Sequence, residues 1–215
     1  MTSLRESAIR RALAGDPLVG REVRVLPEVG STNDYLKEAA REGAPEGLAV
    51  LAERQTAGKG RLGRSFQSPA GLGLWMSVLL RPTCPPERLP PVTALTAAAC
   101  AGAIREVCGA EVGVKWPNDL VLDGRKLCGI LTELESGGEG LALVIGIGLN
   151  VSQRREDFPP ELRETAGSLA MLTGREVPRE ALAGAILAEC RRRGALRDDC
   201  AVQAVYFPEA GVKRA

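Results

Sequence analysis

Between Gln55 and Arg64 the chain reads Gln-Thr-Ala-Gly-Lys-Gly-Arg-Leu-Gly-Arg, with Gly58, Gly60 and Gly63 interleaved among Lys59, Arg61 and Arg64. Glycine lets a backbone approach a ligand closely, and ammonium and guanidinium groups add charge-assisted donors. A loop of this composition therefore suits a phosphate or an acyl phosphate. Two later stretches could serve the same anion: Lys115-Trp-Pro-Asn-Asp119 and Lys126-Leu-Cys-Gly-Ile-Leu131. Pro117 fixes its own φ and biases Trp116 toward extended backbone, which can aim the Asn118 amide and the Asp119 carboxylate into a pocket at a strand end. Taken alone, Pro-Asn-Asp reads as a solvated turn, and Lys126 as a surface lysine at the start of a hairpin. The company of the cationic loop favours the site, with Lys126 as an inward cation on an otherwise apolar strand.

Gly58-Lys-Gly-Arg-Leu-Gly63 also satisfies the dinucleotide fingerprint GxGxxG. That reading needs a helix opening at the last glycine and an acidic residue at the end of a second strand, and neither is present here. The next residues, Arg64-Ser-Phe-Gln-Ser-Pro-Ala-Gly71, read as loop, and no GxxxxGK[ST] phosphate loop occurs.

What the chain lacks narrows the chemistry further. It contains no histidine, which removes Ser/His/Asp and Cys/His catalysis and leaves proton transfer to carboxylates, lysine, water or the substrate. Its six cysteines show no CxxC pair and read as reduced, small core residues rather than zinc ligands or a redox dithiol. Lys plus Arg total 28 against 27 acidic residues, so any cationic function is local and no global attraction to nucleic acid or anionic membrane exists. The N-terminus carries no signal-peptide pattern, and Val92–Ile104, rich in alanine, falls far short of the roughly 20 apolar residues of a membrane span. A soluble, cytoplasmic protein is expected.

The elements that must position these residues alternate between helix and strand. A short amphipathic helix is expected over residues 4–13, and strands over Glu22–Leu26, Leu48–Ala52 and Leu74–Leu80. Ser31, with Asp34 three residues on, reads as the N-cap of a helix from about Thr32 to Arg41. The glycine-rich loop is thus held by sheet at both ends, with its middle free to move. An alanine-rich helix follows the prolines from about Val92 to Val107. Strands are expected at Val112–Lys115, Leu120–Leu122, Leu127–Leu134 and Leu141–Ile147, with a type I′ turn at Asp123-Gly124. The fold class is α/β (α+β), a mixed sheet with antiparallel pairing flanked by helices.

In order and approximate spacing, Ser31-Thr-Asn33, Gln55 through Arg64, Ser68-Pro69 with Gly71, Lys115–Asp119, Lys126–Leu131 and Gly146–Val151 resemble the successive motifs of biotin-protein ligases, from residue 22 to about 190. Lipoate ligases share that fold, but the Lys-Trp-Pro-Asn-Asp run is not expected of them. The resemblance implies the catalytic domain shared with class II aminoacyl-tRNA synthetases, here over 21–192, after a short N-terminal helix in 1–20. It implies that biotin and ATP, with Mg²⁺ held mainly by the ATP phosphates, give biotinyl-5′-adenylate. The biotinyl group then passes to a lysine of the biotin carboxyl carrier protein or domain of acetyl-CoA carboxylase. By carry-over Ser31, Thr32 and Gln55 hydrogen-bond the ureido ring, Asn33 joins the biotin-binding residues, and Lys59, Gly60 and Arg61 wrap the valeryl chain and acyl phosphate. Lys126 bridges carboxylate and α-phosphate, with Arg61 and Asp119 as its catalytic company. Arg64, Lys115, Asn118 and Asn150 serve ATP.

The chain departs from the family pattern at several places. Lys59 stands where arginine is usual, giving a point charge in place of a bidentate grip. Phe66 stands where tryptophan is common. Fewer than thirty residues precede the catalytic domain, so the winged helix-turn-helix of repressor-type relatives, and DNA binding with it, is not expected; a homodimer is compatible with the resemblance. Residues 193–215 form an atypical tail in which the family's C-terminal β-barrel is expected to be missing. The alternative reading is accordingly a biotin- or biotinyl-adenylate-binding protein with impaired catalysis.

Overall fold

The computed structural model describes residues 3–13, 19–137 and 140–192. The strands are β1 (Glu22–Val29), β2 (Leu48–Gln55), β3 (Gly73–Leu80), β4 (Gly113–Lys115), β5 (Asp119–Leu122), β6 (Arg125–Gly137) and β7 (Gly140–Asn150). They form one seven-stranded sheet in the order β1-β2-β3-β7-β6-β5-β4. The β1–β2 pair is parallel and the others are antiparallel, giving the mixed sheet expected. A parallel pair needs a crossover, and helix α2 (Thr32–Arg41) provides it.

The alternation of β2 explains the layering. Leu48 and Val50 join Leu36, Ala39 and Ala40 of α2 in a small core on one face, the i, i+3, i+4 spacing of a helix stripe. Ala49 and Leu51 point into the larger core on the other face. There α1 (Glu6–Ala12), α3 (Pro91–Cys108) and α5 (Arg179–Arg192) pack, while α4 (Leu169–Thr173) follows the last strand. Helix α3 begins with Pro91 in its first turn and stops at Gly109, whose φ of 70° is left-handed. Glu53 on β2 accepts bonds from Arg179 at the start of α5 and from the Leu4 backbone, so the N-terminal helix shares the core of the remainder.

The strands run further than the sequence suggests, for identifiable reasons. β1 continues through Pro27 because it lies at the sheet edge, where a missing N–H costs no ladder bond. β7 continues through Gly146 and Gly148, which pair with Leu131 and Gly129 of β6. The Asp123-Gly124 turn has φ of 49° and 74°, both left-handed as type I′ requires. Cys100, Cys108, Cys128 and Cys190 are free; Cys84 is disulfide-bonded, which corrects the expectation that the cysteines are all reduced. The tail from 193 onward lies outside the described residues. No helix among the described residues is long and apolar enough to cross a membrane.

Candidate active site

On the α2 side of the sheet, the start of α2, the glycine-rich loop and the middle of β6 and β7 enclose a cavity of about 50 Å³. Its floor is polar and neutral. Ser31 caps α2, its hydroxyl accepting from the Asp34 N–H. Gln55 Oε1 accepts from the Thr32 N–H at 2.8 Å and from the Thr32 hydroxyl at 3.0 Å, while its amide donates to Ser68 Oγ at 2.9 Å. Ser77 Oγ lies 2.6 Å from both Thr32 Oγ1 and Asn33 Oδ1. Asn33 donates to Leu131 O at 3.3 Å and to Glu133 Oε2 at 2.7 Å.

Glycines make room above this floor. A Cβ on Gly146 would stand 2.3 Å from Asn33 Oδ1, and one on Gly148 would stand 2.8 Å from the Phe66 ring. Phe66 lies over the trough of Gly129 and Gly148 and meets Trp75 edge to face, with centroids 5.8 Å apart. Ligand pockets hold roughly 300–1,000 Å³, so Phe66 and its loop must move to admit a ligand. Leu131 adds an apolar side chain, and Met76, Ile130 and Ile147, whose side chains belong to the larger core on the other face, complete the lining.

Cations stand at the mouth. The loop folds back on itself through a Lys59–Ser65 bridge and a Gly60 N–H to Arg64 O bond of 2.7 Å. Lys59 reaches Asp34, and Arg61 donates to Asn118 Oδ1 at 2.7 Å. The middle of the loop, expected to be free to move, is thus joined to Asp34 through Lys59 and to Asn118 through Arg61. Lys126 sits across the mouth with Nζ 2.8 Å from Asp119 Oδ1. Its backbone is clipped on both sides, by Lys126 N–H to Thr165 O and Gly167 N–H to Lys126 O. The peptide before Pro117 is cis, and Asn118 O accepts from the Ile130 N–H at 2.8 Å, which docks the Trp116–Asn118 turn against β6.

Of the residues singled out in the sequence, Ser31, Thr32, Asn33, Gln55, Lys59, Gly60, Arg61, Asn118 and Lys126 line this cavity, and Asp119 touches it through Lys126. Arg64 and Lys115 are exposed outside it. Asn150 is buried away from it, its Nδ2 donating to Gly167 O and its Oδ1 accepting from Gln153. Ser77 and Glu133 were missed, although each is a polar residue inside an apolar strand. The Thr165–Gly167 segment that holds Lys126 gave no local signal.

The mixed seven-stranded sheet, with a cavity under a cationic strap, matches the fold of solved biotin protein ligases. The solved structure of biotin protein ligase from Aquifex aeolicus in complex with biotin and ATP matches with a TM-score of 0.66 and 32% identity, over 80% of this chain and 73% of that one. The Bacillus subtilis bifunctional ligase/repressor BirA is 40% identical over 177 residues, 82% of this chain and 54% of the relative. The biotin--[acetyl-CoA-carboxylase] ligase of Mycobacterium tuberculosis is 34% identical over 195 residues, 88% of this chain and 70% of that protein. The chain spans about half the length of the BirA relatives it matches. The model of the biotin/lipoate A/B protein ligase family matches residues 25–150, and the chain belongs to that family.

Proposed function

We propose that the protein is an ATP-dependent biotin-protein ligase that forms biotinyl-5′-adenylate and transfers the biotinyl group to a lysine of the biotin carrier domain of a carboxylase. One observation carries the choice of biotin within the family: the neutral, hydrogen-bonded floor of Thr32, Asn33, Gln55 and Ser77. A ureido ring offers two N–H donors and a carbonyl to such a floor, whereas the dithiolane of lipoate offers no comparable partners.

With the ring at the floor, the valeryl chain runs past Leu131, Gly146 and Gly148 toward the mouth, beside Gly60 and Arg61. Its carboxylate oxygen attacks the α-phosphorus of ATP, the bond to the β-phosphate oxygen breaks, and pyrophosphate leaves. Lys126 bridges the carboxylate and the α-phosphate, and Arg61 closes over the developing charge. Fixed donors aimed where charge accumulates stabilise the transition state more than the ground state. A carrier lysine then attacks the acyl carbon and AMP leaves, with Asn118 and Asp119 facing the phosphate or the incoming amine. Among the described residues no group of three or more Cys, Asp or Glu side chains could hold a metal ion; Mg²⁺ enters as the companion of ATP.

Arg64 and Lys115, close in sequence to Arg61 and Asn118, are read as serving the distal phosphates, and Asn150 the nucleobase. The setting is cytoplasmic, without a nucleic-acid partner, and a homodimer fits the reading. Residues 21–192 act as the catalytic domain. The test is exchange of labelled pyrophosphate into ATP. Exchange that requires biotin, and that lipoate does not support, is the expected result. Biotin binding without exchange would instead favour a binding module lacking catalysis.

A further inference from the structure

Family resemblance places Lys59 among the residues that wrap the ligand, but its surroundings assign it another task. Its ammonium lies 2.7 Å from both oxygens of Asp34 in the first turn of α2. Asp34 also pairs with Lys37 at 3.0 Å, Lys37 with Glu133 of β6 at 2.8 Å, and Glu133 accepts from Asn33. Two lysines and two carboxylates thus alternate from the loop, across α2, to β6, and their charges cancel. Burial alone would push the Asp34 carboxyl up, yet hydrogen bonds from Lys59 and Lys37 outweigh it and hold the group below the ordinary carboxylate range. Arg61, two residues on, donates to the neutral Asn118 oxygen on the opposite side of the mouth and, among the described residues, forms no ion pair. The loop is therefore a strap with one ionic fastening, at Lys59, and one neutral one, at Arg61.

We infer that Lys59 and Asp34 form a clasp that holds the strap shut, with Asp34 the positioning residue, and that Arg61 and Lys126 are the cations that meet the ligand's anion. The inference rests on the biotin-ligase reading for the identity of the ligand only. The cavity under the strap is far too small for an acyl ligand as it stands, so the clasp must open for uptake and close again afterward. A residue that fastens the strap with and without ligand controls the rate of exchange in both directions, because each passage requires the same opening.

The alternatives make opposite predictions. If Lys59 is a clasp, Asp34→Asn speeds both amide exchange across residues 58–66 of the free protein and release of bound biotin, each about two- to fivefold, the scale of one half-exposed ion pair. The effect shrinks at high salt, which screens the parent's pair. Lys59→Gln, which removes the other partner, speeds both rates to the same extent. If Lys59 instead grips the ligand, Asp34→Asn frees its charge and slows release, and Lys59→Gln speeds release without changing loop exchange in the free protein. Slower or unchanged release from Asp34→Asn, or loop exchange in the free protein unaltered by Lys59→Gln, overturns the inference. If the parent fails to bind biotin, the functional reading fails, and loop exchange in the free protein still decides the clasp.

Discussion

In the proposed reaction, Lys126 is the residue on which the chemical step turns. Its side chain is held by Asp119 at 2.8 Å, and its backbone by Thr165 O and the Gly167 N–H, so the ammonium stands at the cavity mouth before any substrate arrives. Preorganisation of this kind matters because a donor already in place costs no rearrangement when charge develops. Lys126→Ala is expected to slow adenylate formation by roughly 10²- to 10³-fold, the scale of one well-placed donor, while biotin affinity changes much less. Single-turnover measurement of adenylate beside a binding titration checks this. Near-normal adenylation by the variant would remove Lys126 from its role.

At the scale of elements, the site depends on close approach between α2 and β7. Gly146 faces Asn33, which is buried and held by Ser77, Leu131 and Glu133. A Cβ there meets an amide that has nowhere to go. Gly146→Ala should therefore cost about 1–3 kcal/mol of stability, the range for overpacking, and weaken biotin binding through the displaced Asn33. The same change at Gly148 has its nearest contacts with the Phe66 ring, at the end of a side chain on the loop, so it should be milder in stability. Thermal melts and calorimetric titrations of the two variants check the contrast, and equal effects would contradict it. These approaches also mark the limit of what the sequence displays. The Ser31 cap, the α2 stripe and the Asp123-Gly124 turn are set by neighbours within a few residues and were legible. So were the motifs of the loop, Lys115–Asp119 and Lys126. The Asn33–Glu133 bond joins residues 100 positions apart, and the clip on Lys126 comes from a segment some 40 positions on. No local pattern encodes either. Pro27 ended a strand on paper that an edge position lets continue.

For the molecule as a whole, charge is balanced at +1, while Lys59, Arg61 and Lys126 line the cavity where an anion would be activated. The sheet serves both requirements of the reading. Its α2 face holds the cavity, and its opposite face buries the larger core against α1, α3 and α5, so the floor of the site is backed by the bulk of the apolar packing. The buried Arg179–Glu53 pair joins the start of α5 to β2 two residues before Gln55, which ties the polar floor to the far helical layer. A mixed anhydride formed there must be kept from water until an amine arrives, a task for the strap and Phe66. On the proposed function, this one chain both makes the adenylate and hands it on. The direct measurement is intact mass of a biotin carrier domain from acetyl-CoA carboxylase after incubation with the protein, biotin and MgATP. A gain of one biotinyl group on a single carrier lysine, absent when ATP or biotin is omitted, is the expected result. A carrier domain left unmodified while the protein binds biotin would contradict it.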